Sequence, residues 1–206
     1  MDASTSAGLN GEAATATPAE EPNRRGDIIR AAGRLFREKG YNGTTIRDIA
    51  DAVGMRSGSP FYHFKSKHDI LCNVTTEGIE AMLRNLEAIL AIEQPPRVAF
   101  EACLVTHLAY LLGPGRDFAW VMLFESRLLE PNERAVVFAL SARYETVFSG
   151  VLDRLAANGD LIDASTVTRK LILGALNWTA QWYQPDGPSD PVALARQLCR
   201  LVLRPG

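Results

Sequence analysis

Between Arg56 and Lys67 the chain reads Arg-Ser-Gly-Ser-Pro-Phe-Tyr-His-Phe-Lys-Ser-Lys. These residue types suit contact with a duplex rather than bond-making chemistry. Arg56 can bridge guanine O6 and N7 or hold a phosphate, and Ser57 and Ser59 are short donors at a helix tip. Tyr62 and His63 can donate to phosphates, with Lys65 and Lys67 adding charge that is blind to sequence. Phe64 reads as core, and Phe61 divides evenly between core and contact. Pro60 stands where a helix would break, unless the helix begins there. With Ser57 as N-cap, Pro60 is the third residue inside, and its missing N–H is one that no intrahelical carbonyl would accept. The spacing therefore predicts a short helix that starts almost at the proline.

Such a segment works only if other helices hold it. Upstream, Ile28, Ala32, Leu35 and Phe36 recur at helical spacing and stop at Gly40. Ile46, Ile49, Ala50 and Val53 mark a second helix. Thr45 is its expected N-cap, with Asp48 in a capping-box position and Gly54 at its end. Ser66 caps the next helix, with Asp69 in its first turn. Two short helices joined by a glycine turn form a helix-turn-helix pattern over about 45–64.

Charge divides the same way. Between Arg24 and Asp69 ten Lys and Arg face five Asp and Glu, which gives +5 and leaves −7 for the rest of the chain. A basic head on an acidic remainder fits a nucleic-acid reader with a separate effector or assembly part. The first 22 residues are rich in Ala, Thr, Ser, Gly and Glu, without an apolar core or leading positive charge. They read as a disordered tail, not a signal peptide. Apolar runs fall short of the roughly 18 residues a membrane helix needs. Cys72, Cys103 and Cys199 are far apart, and the three histidines make no helical ligand pair. No disulfide framework, metal site or cofactor is expected, and the cysteines suit a reducing cytoplasm. No catalytic motif, phosphate-binding glycine loop or paired carboxylates appear, so no catalytic residues are assigned and the chain is not expected to be an enzyme.

Beyond Gln94 the sequence is helical almost throughout. Leu171, Ala175, Trp178 and Trp182 share one stripe of the penultimate helix. Val192, Ala195, Leu198, Cys199 and Val202 share one on the last, where Leu194, Leu201 and Leu203 occupy a further face. A helix apolar on more than one side must bury more than one side. Doubled by a two-fold axis, the pair would make a four-helix bundle. Leu171, Ala175, Trp182, Leu194, Leu198, Leu201 and Val202 are the expected dimer interface. A small-molecule pocket is expected inside this body, where polar or aromatic residues interrupt apolar stripes. The candidates are Phe100, His107, Trp120, Phe124, Arg127, Tyr144, Asn177 and Trp178.

The run from Ile28 to Leu71 resembles the N-terminal domain of TetR-type transcriptional regulators. The shared features are L-F-x-x-x-G-Y (Leu35 to Tyr41), T-T-I-x-D-I-A-x-x-V-G (Thr44 to Gly54) and G-S-x-x-x-H-F-x-S-K (Gly58 to Lys67). Pro60 stands where the family usually has Leu, and Phe61 where Tyr is commoner. The resemblance implies that Thr44 and Thr45 meet the DNA backbone. Arg56, Ser57, Gly58, Ser59, Pro60, Phe61, Tyr62 and His63 would lie at the groove, with Lys65 beside them and Lys67 holding a phosphate. The stretch from Leu173 to Leu203, in which Trp182-Tyr-Gln-Pro-Asp-Gly187 ends the penultimate helix, is similar to the C-terminal helix pair of the subgroup that senses CoA thioesters of fatty acids or sterol fragments.

The expectation is an all-α protein with three parts: a tail at 1–22, a three-helix DNA-binding head at 23–83, and a helical ligand-binding and dimerisation body at 84–206. It would be a cytoplasmic homodimeric repressor, clear of the membrane, that reads an inverted-repeat operator in double-stranded DNA. A small hydrophobic or CoA-thioester effector would release it. The rival readings are a helical scaffold or co-regulator with a degenerate head, and an enzyme.

Overall fold

The computed structural model describes residues 24–56 and 59–205. The expected tail, Ser57 and Gly58 lie outside the described residues, as do the side chains of Ser59 and Phe61. The described residues form eight α-helices, in order: α1 Arg24–Gly43, α2 Ile46–Ala52, α3 Lys67–Leu90, α4 Pro96–Leu112, α5 Arg116–Phe124, α6 Pro131–Ala157, α7 Thr166–Trp182 and α8 Pro191–Val202. The β-pairing among the described residues is one isolated bridge, Leu161 to Leu203. The all-α fold expected from periodicity is present.

Local chemistry sets most boundaries. Thr45 accepts from the Asp48 amide while the Asp48 carboxylate accepts from the Thr45 amide, completing a capping box on α2. Ser66 accepts from the Asp69 amide at the start of α3. Proline opens α4, α6 and α8, where its fixed φ suits the first turn and its missing N–H costs nothing. Gly40 interrupts α1 with φ 73° and ψ 162°, a region essentially closed to other residues. The chain turns there, and the buried Thr44 hydroxyl sits against the Leu35 and Gly40 carbonyls at 3.1 and 2.9 Å.

Two elements differ from expectation. The helix expected after Gly54 is a single 3₁₀ turn, Ser59–Tyr62. Pro60 disfavours α geometry at Ser59, and its carbonyl accepts from both His63 and Phe64 at 3.0 Å. The chain then passes to the extended Ser66 cap of α3, so the turn has no length in which to propagate. The stretch beyond Gln94, expected to be helical almost throughout, breaks after Phe124, where a 3₁₀ turn follows at Ser126–Leu128. Pro131 holds Glu130 at ψ 156°, which forbids a continuous helix into α6.

Two apolar clusters meet along α3. One joins Ile28, Phe36, Ile49, Phe64, Ile70 and Val74 to Val121, Leu129 and Val137, so α5 and α6 complete the core of the head. The other gathers Met82, Leu86, Phe100, Leu104, Phe148 and Leu152 with α7 and α8. α3 and α5 cross tightly at Gly78, where an added Cβ would stand 2.9 Å from the Cβ of Phe118. By length and composition α6 could cross a membrane. In the fold it is a bundle helix, tied to α3 by Arg143–Glu87 and to α7 by Asp153–Arg169.

Candidate functional site

The basic segment after α2 presents an exposed surface. Arg56, Tyr62, His63 and Lys65 are exposed, Tyr62 by 90%, whereas Pro60 and Phe64 are buried. The guanidinium of Arg25 lies 5.2 Å from the Phe64 ring centroid, closing the core over that ring. Pro60 therefore anchors the turn from inside, while Arg56, Tyr62, His63 and Lys65 face solvent.

Two expected phosphate contacts have internal duties instead. Thr44 is fully buried, and its one hydroxyl proton serves the carbonyls that close α1, so it is not a backbone contact for DNA. Lys67 is half-buried and donates to the carbonyls of Tyr41 and Thr44 at 2.9 Å each. Two of its three donors are thus committed, and desolvation holds its pKa below the usual lysine value. Its first role is to clamp the end of α1 onto α3. Thr45 is exposed, but its hydroxyl proton goes to the Asp48 carboxylate. That bond, with the Thr45 amide and Lys39, holds the Asp48 carboxyl at about 2.

In the body, a cavity of about 230 Å³ opens between α3, α5, α6 and α7, with α4 at its base. Ile79 and Met82 come from α3, His107 from α4, Met122 and Leu123 from α5, and Ser126 from the 3₁₀ turn. Val137, Phe138, Ser141, Tyr144 and Glu145 come from α6, with Leu173 and Asn177 from α7. His107 is buried, and its Nδ1 lies 2.7 Å from the Tyr144 hydroxyl. Desolvation pulls its pKa down to about 4, opposed by the hydrogen-bonding side chain of Asn177 close by, so the ring is neutral at physiological pH. Burial raises the Tyr144 phenol well above its ordinary value.

Of the expected pocket residues, the structure brings His107, Tyr144 and Asn177 together. The others lie elsewhere. Phe100 is fully buried in the body core against Phe148. Trp120 and Phe124 pair with each other on α5, centroids 4.4 Å apart, and do not line the cavity. Arg127 is exposed beyond the end of α5. Trp178 is 62% exposed on the outer face of α7. Its place is the stripe of Val167, Leu171 and Trp182, which are 65%, 66% and 51% exposed. Ala175 is exposed along the same line. On α8 Leu201 is exposed, while Leu194, Leu198 and Val202 are half-buried against the body core. Ser126, Ser141 and Glu145 carry no sequence signal of their own, because four helices must assemble before they face one space.

Residues 93–205 match the family described as tetracyclin repressor-like, C-terminal domain. Residues 28–73 match bacterial regulatory proteins of the tetR family. The chain belongs to the TetR family. Like other TetR-family members it is a DNA-binding transcriptional regulator. It is 29% identical over 198 residues to the transcriptional repressor KstR2 of Rhodococcus jostii, covering 92% of this chain and 96% of that protein. Among solved structures, the superantigen PfiT superposes with a TM-score of 0.77 at 34% identity, over 91% of this chain and all of that one. The TetR-family regulator PfmR of Thermus thermophilus superposes with a TM-score of 0.76 at 29% identity, over 84% and 95% of the two chains.

Proposed function

We propose that this chain is a cytoplasmic, homodimeric repressor that leaves its operator when a small hydrophobic or CoA-thioester effector enters the cavity of the body. One observation carries the reading: α3 belongs to both ends of the mechanism. Lys67, at its start, clamps the helix-turn-helix head, while Ile79 and Met82 line the cavity. Ile79 lies about 18 Å further along the helix at 1.5 Å per residue. A ligand that displaces α3 must move the head with it. α5 offers a second path, lining the cavity with Met122 and Leu123 and gripping α1 through the Asp117–Arg37 ion pair.

In this reading the head comprises the helices through residue 83 and the body the remainder. Arg56, Tyr62, His63 and Lys65 touch the duplex, with the turn at Pro60 as their support. The exposed stripe of α7, together with Leu201 and the outer edges of Leu194, Leu198 and Val202, meets the same surface of a second copy. Large apolar side chains exposed in one line are what an unpaired interface presents. Two heads then read the half-sites of an inverted repeat. Effector binding favours a head spacing that no longer fits successive major grooves, and operator affinity falls by linkage. The relationship to KstR2, a transcriptional repressor, and the Trp182–Gly187 run support repression and a CoA-thioester effector.

The experiment is fluorescence anisotropy of the full chain against the DNA upstream of its own gene and against random duplex, titrated with salt and with acyl-CoA thioesters. The reading expects preference for the upstream DNA, a steep salt slope, and release by one thioester class. No preference over random duplex would overturn it.

A further inference from the structure

Among the polar groups that line the cavity of the body, the buried His107–Tyr144 pair has a specific chemistry. The Tyr144 hydroxyl has a proton to donate, and the acceptor beside it is Nδ1 of His107. If that hydroxyl donates to Nδ1, the neutral ring carries its proton on Nε2. The opposite tautomer would leave both the phenol proton and the Nε2 lone pair unused in a buried place, at a higher cost. Nε2 is buried and makes no hydrogen bond of acceptable geometry among the described residues, although the Asn177 side chain stands close by. A buried donor without an acceptor calls for an explanation, and a ligand atom supplies one.

Charge narrows the choice. Among the described residues no Lys or Arg lines the cavity, and Glu145 is its one ionisable carboxylate. A ligand carboxylate or phosphate placed here would lose its water without gaining a cation. The rest of the wall is mainly apolar. At about 230 Å³ the cavity falls below the roughly 300–1,000 Å³ of sites for drug-sized ligands, so the group it encloses is small.

We infer that the cavity takes an uncharged apolar group bearing one carbonyl oxygen, and that the Nε2–H of His107 donates to that oxygen. The inference rests on the cavity being the effector site and names the chemistry it selects. A free ketone and the acyl end of a thioester share that chemistry. In the thioester the phosphates must stay outside the cavity.

The test is calorimetric titration of the full chain with cyclohexyl methyl ketone, cyclohexanecarboxylate and ethylcyclohexane, which are similar in size. A parallel arm uses cyclohexanecarbonyl-CoA. The expected result is that the ketone or the thioester binds about tenfold tighter than both the carboxylate and the hydrocarbon. That preference should be lost in His107→Phe and kept in His107→Gln, whose side-chain amide still donates. A stronger ketone than thioester identifies a free carbonyl compound, and the reverse identifies an acyl thioester; both support the inference. Equal or tighter binding of the carboxylate or hydrocarbon overturns the carbonyl class and leaves the cavity as the effector site. No binding by any of the four overturns both. Imidazole ¹⁵N–¹H correlation of the unmodified protein gives a second readout, with the His107 signal assigned by its absence in His107→Gln. A proton on Nε2 is expected, and a proton on Nδ1 would overturn the inference without any ligand.

Discussion

The ammonium of Lys67 donates to the carbonyl of Tyr41 at 2.9 Å and lies 4.1 Å from the centroid of the same tyrosine ring. One lysine at the start of α3 therefore holds a residue at the broken end of α1 by both its backbone and its π face. The Thr44 carbonyl accepts a second bond from the same nitrogen. Lys67→Met keeps the stem and removes these bonds. Hydrogen bonds to a charged group contribute about 1.5–3 kcal/mol each, so the variant should lose at least that much stability without any DNA present. Guanidinium unfolding of the free protein checks this. An unchanged midpoint would return Lys67 to a purely DNA-facing role.

Two exposed residues of the reading segment should behave differently. Lys65→Ala should weaken every duplex about equally and lower the salt slope by about one. Arg56→Ala should change which operator bases are preferred. Binding to a panel of single-base operator variants at two salt concentrations separates the two effects.

The neutral His107 makes stability depend on pH. Its folded pKa is about 4, against 6.5 for the free side chain. The unfolded chain therefore takes up the proton first as pH falls. The stabilisation is complete above about pH 6.5 and is lost on the way down to 4, at no more than about 1.4 kcal/mol per pH unit. Urea midpoints of the wild type and His107→Gln, measured from pH 7.5 to 4.5, should diverge over that window, with the wild type losing more.

Leu171→Glu places a charge in the middle of the exposed α7 stripe. The variant should keep its helical circular dichroism, sediment as a monomer, and bind operator at least tenfold more weakly. A dimeric Leu171→Glu protein with intact binding would move the interface elsewhere.

Elements governed by neighbours along the chain are legible in the sequence. Thr45 with Asp48 and Ser66 with Asp69 are caps three residues apart, and both form. The stripe of Leu171, Ala175 and Trp182 follows from 3.6-residue periodicity, and the fold leaves it facing outward. The aromatic ring of Trp178 suggests the pocket, but the residue sits at i+7 from Leu171 and shares that outward face. Pro60 permits a helix by local rules alone; in the fold its carbonyl closes a single turn before Ser66 redirects the chain. His107 and Tyr144 are 37 residues apart, and no local rule pairs them. The duties of Thr44 and Lys67 stay hidden for a similar reason, since their partners are carbonyls and a carbonyl has no letter in a sequence.

Coupling between the cavity and the heads is the centre of the proposed mechanism, and reciprocity tests it directly. The affinity of the effector, identified by its release of operator, is measured by calorimetry on the free dimer and again on the dimer saturated with operator. Coupling predicts weaker effector binding in the DNA complex, by the same factor with which effector weakens DNA binding. Equal effector affinity in the two states would contradict it.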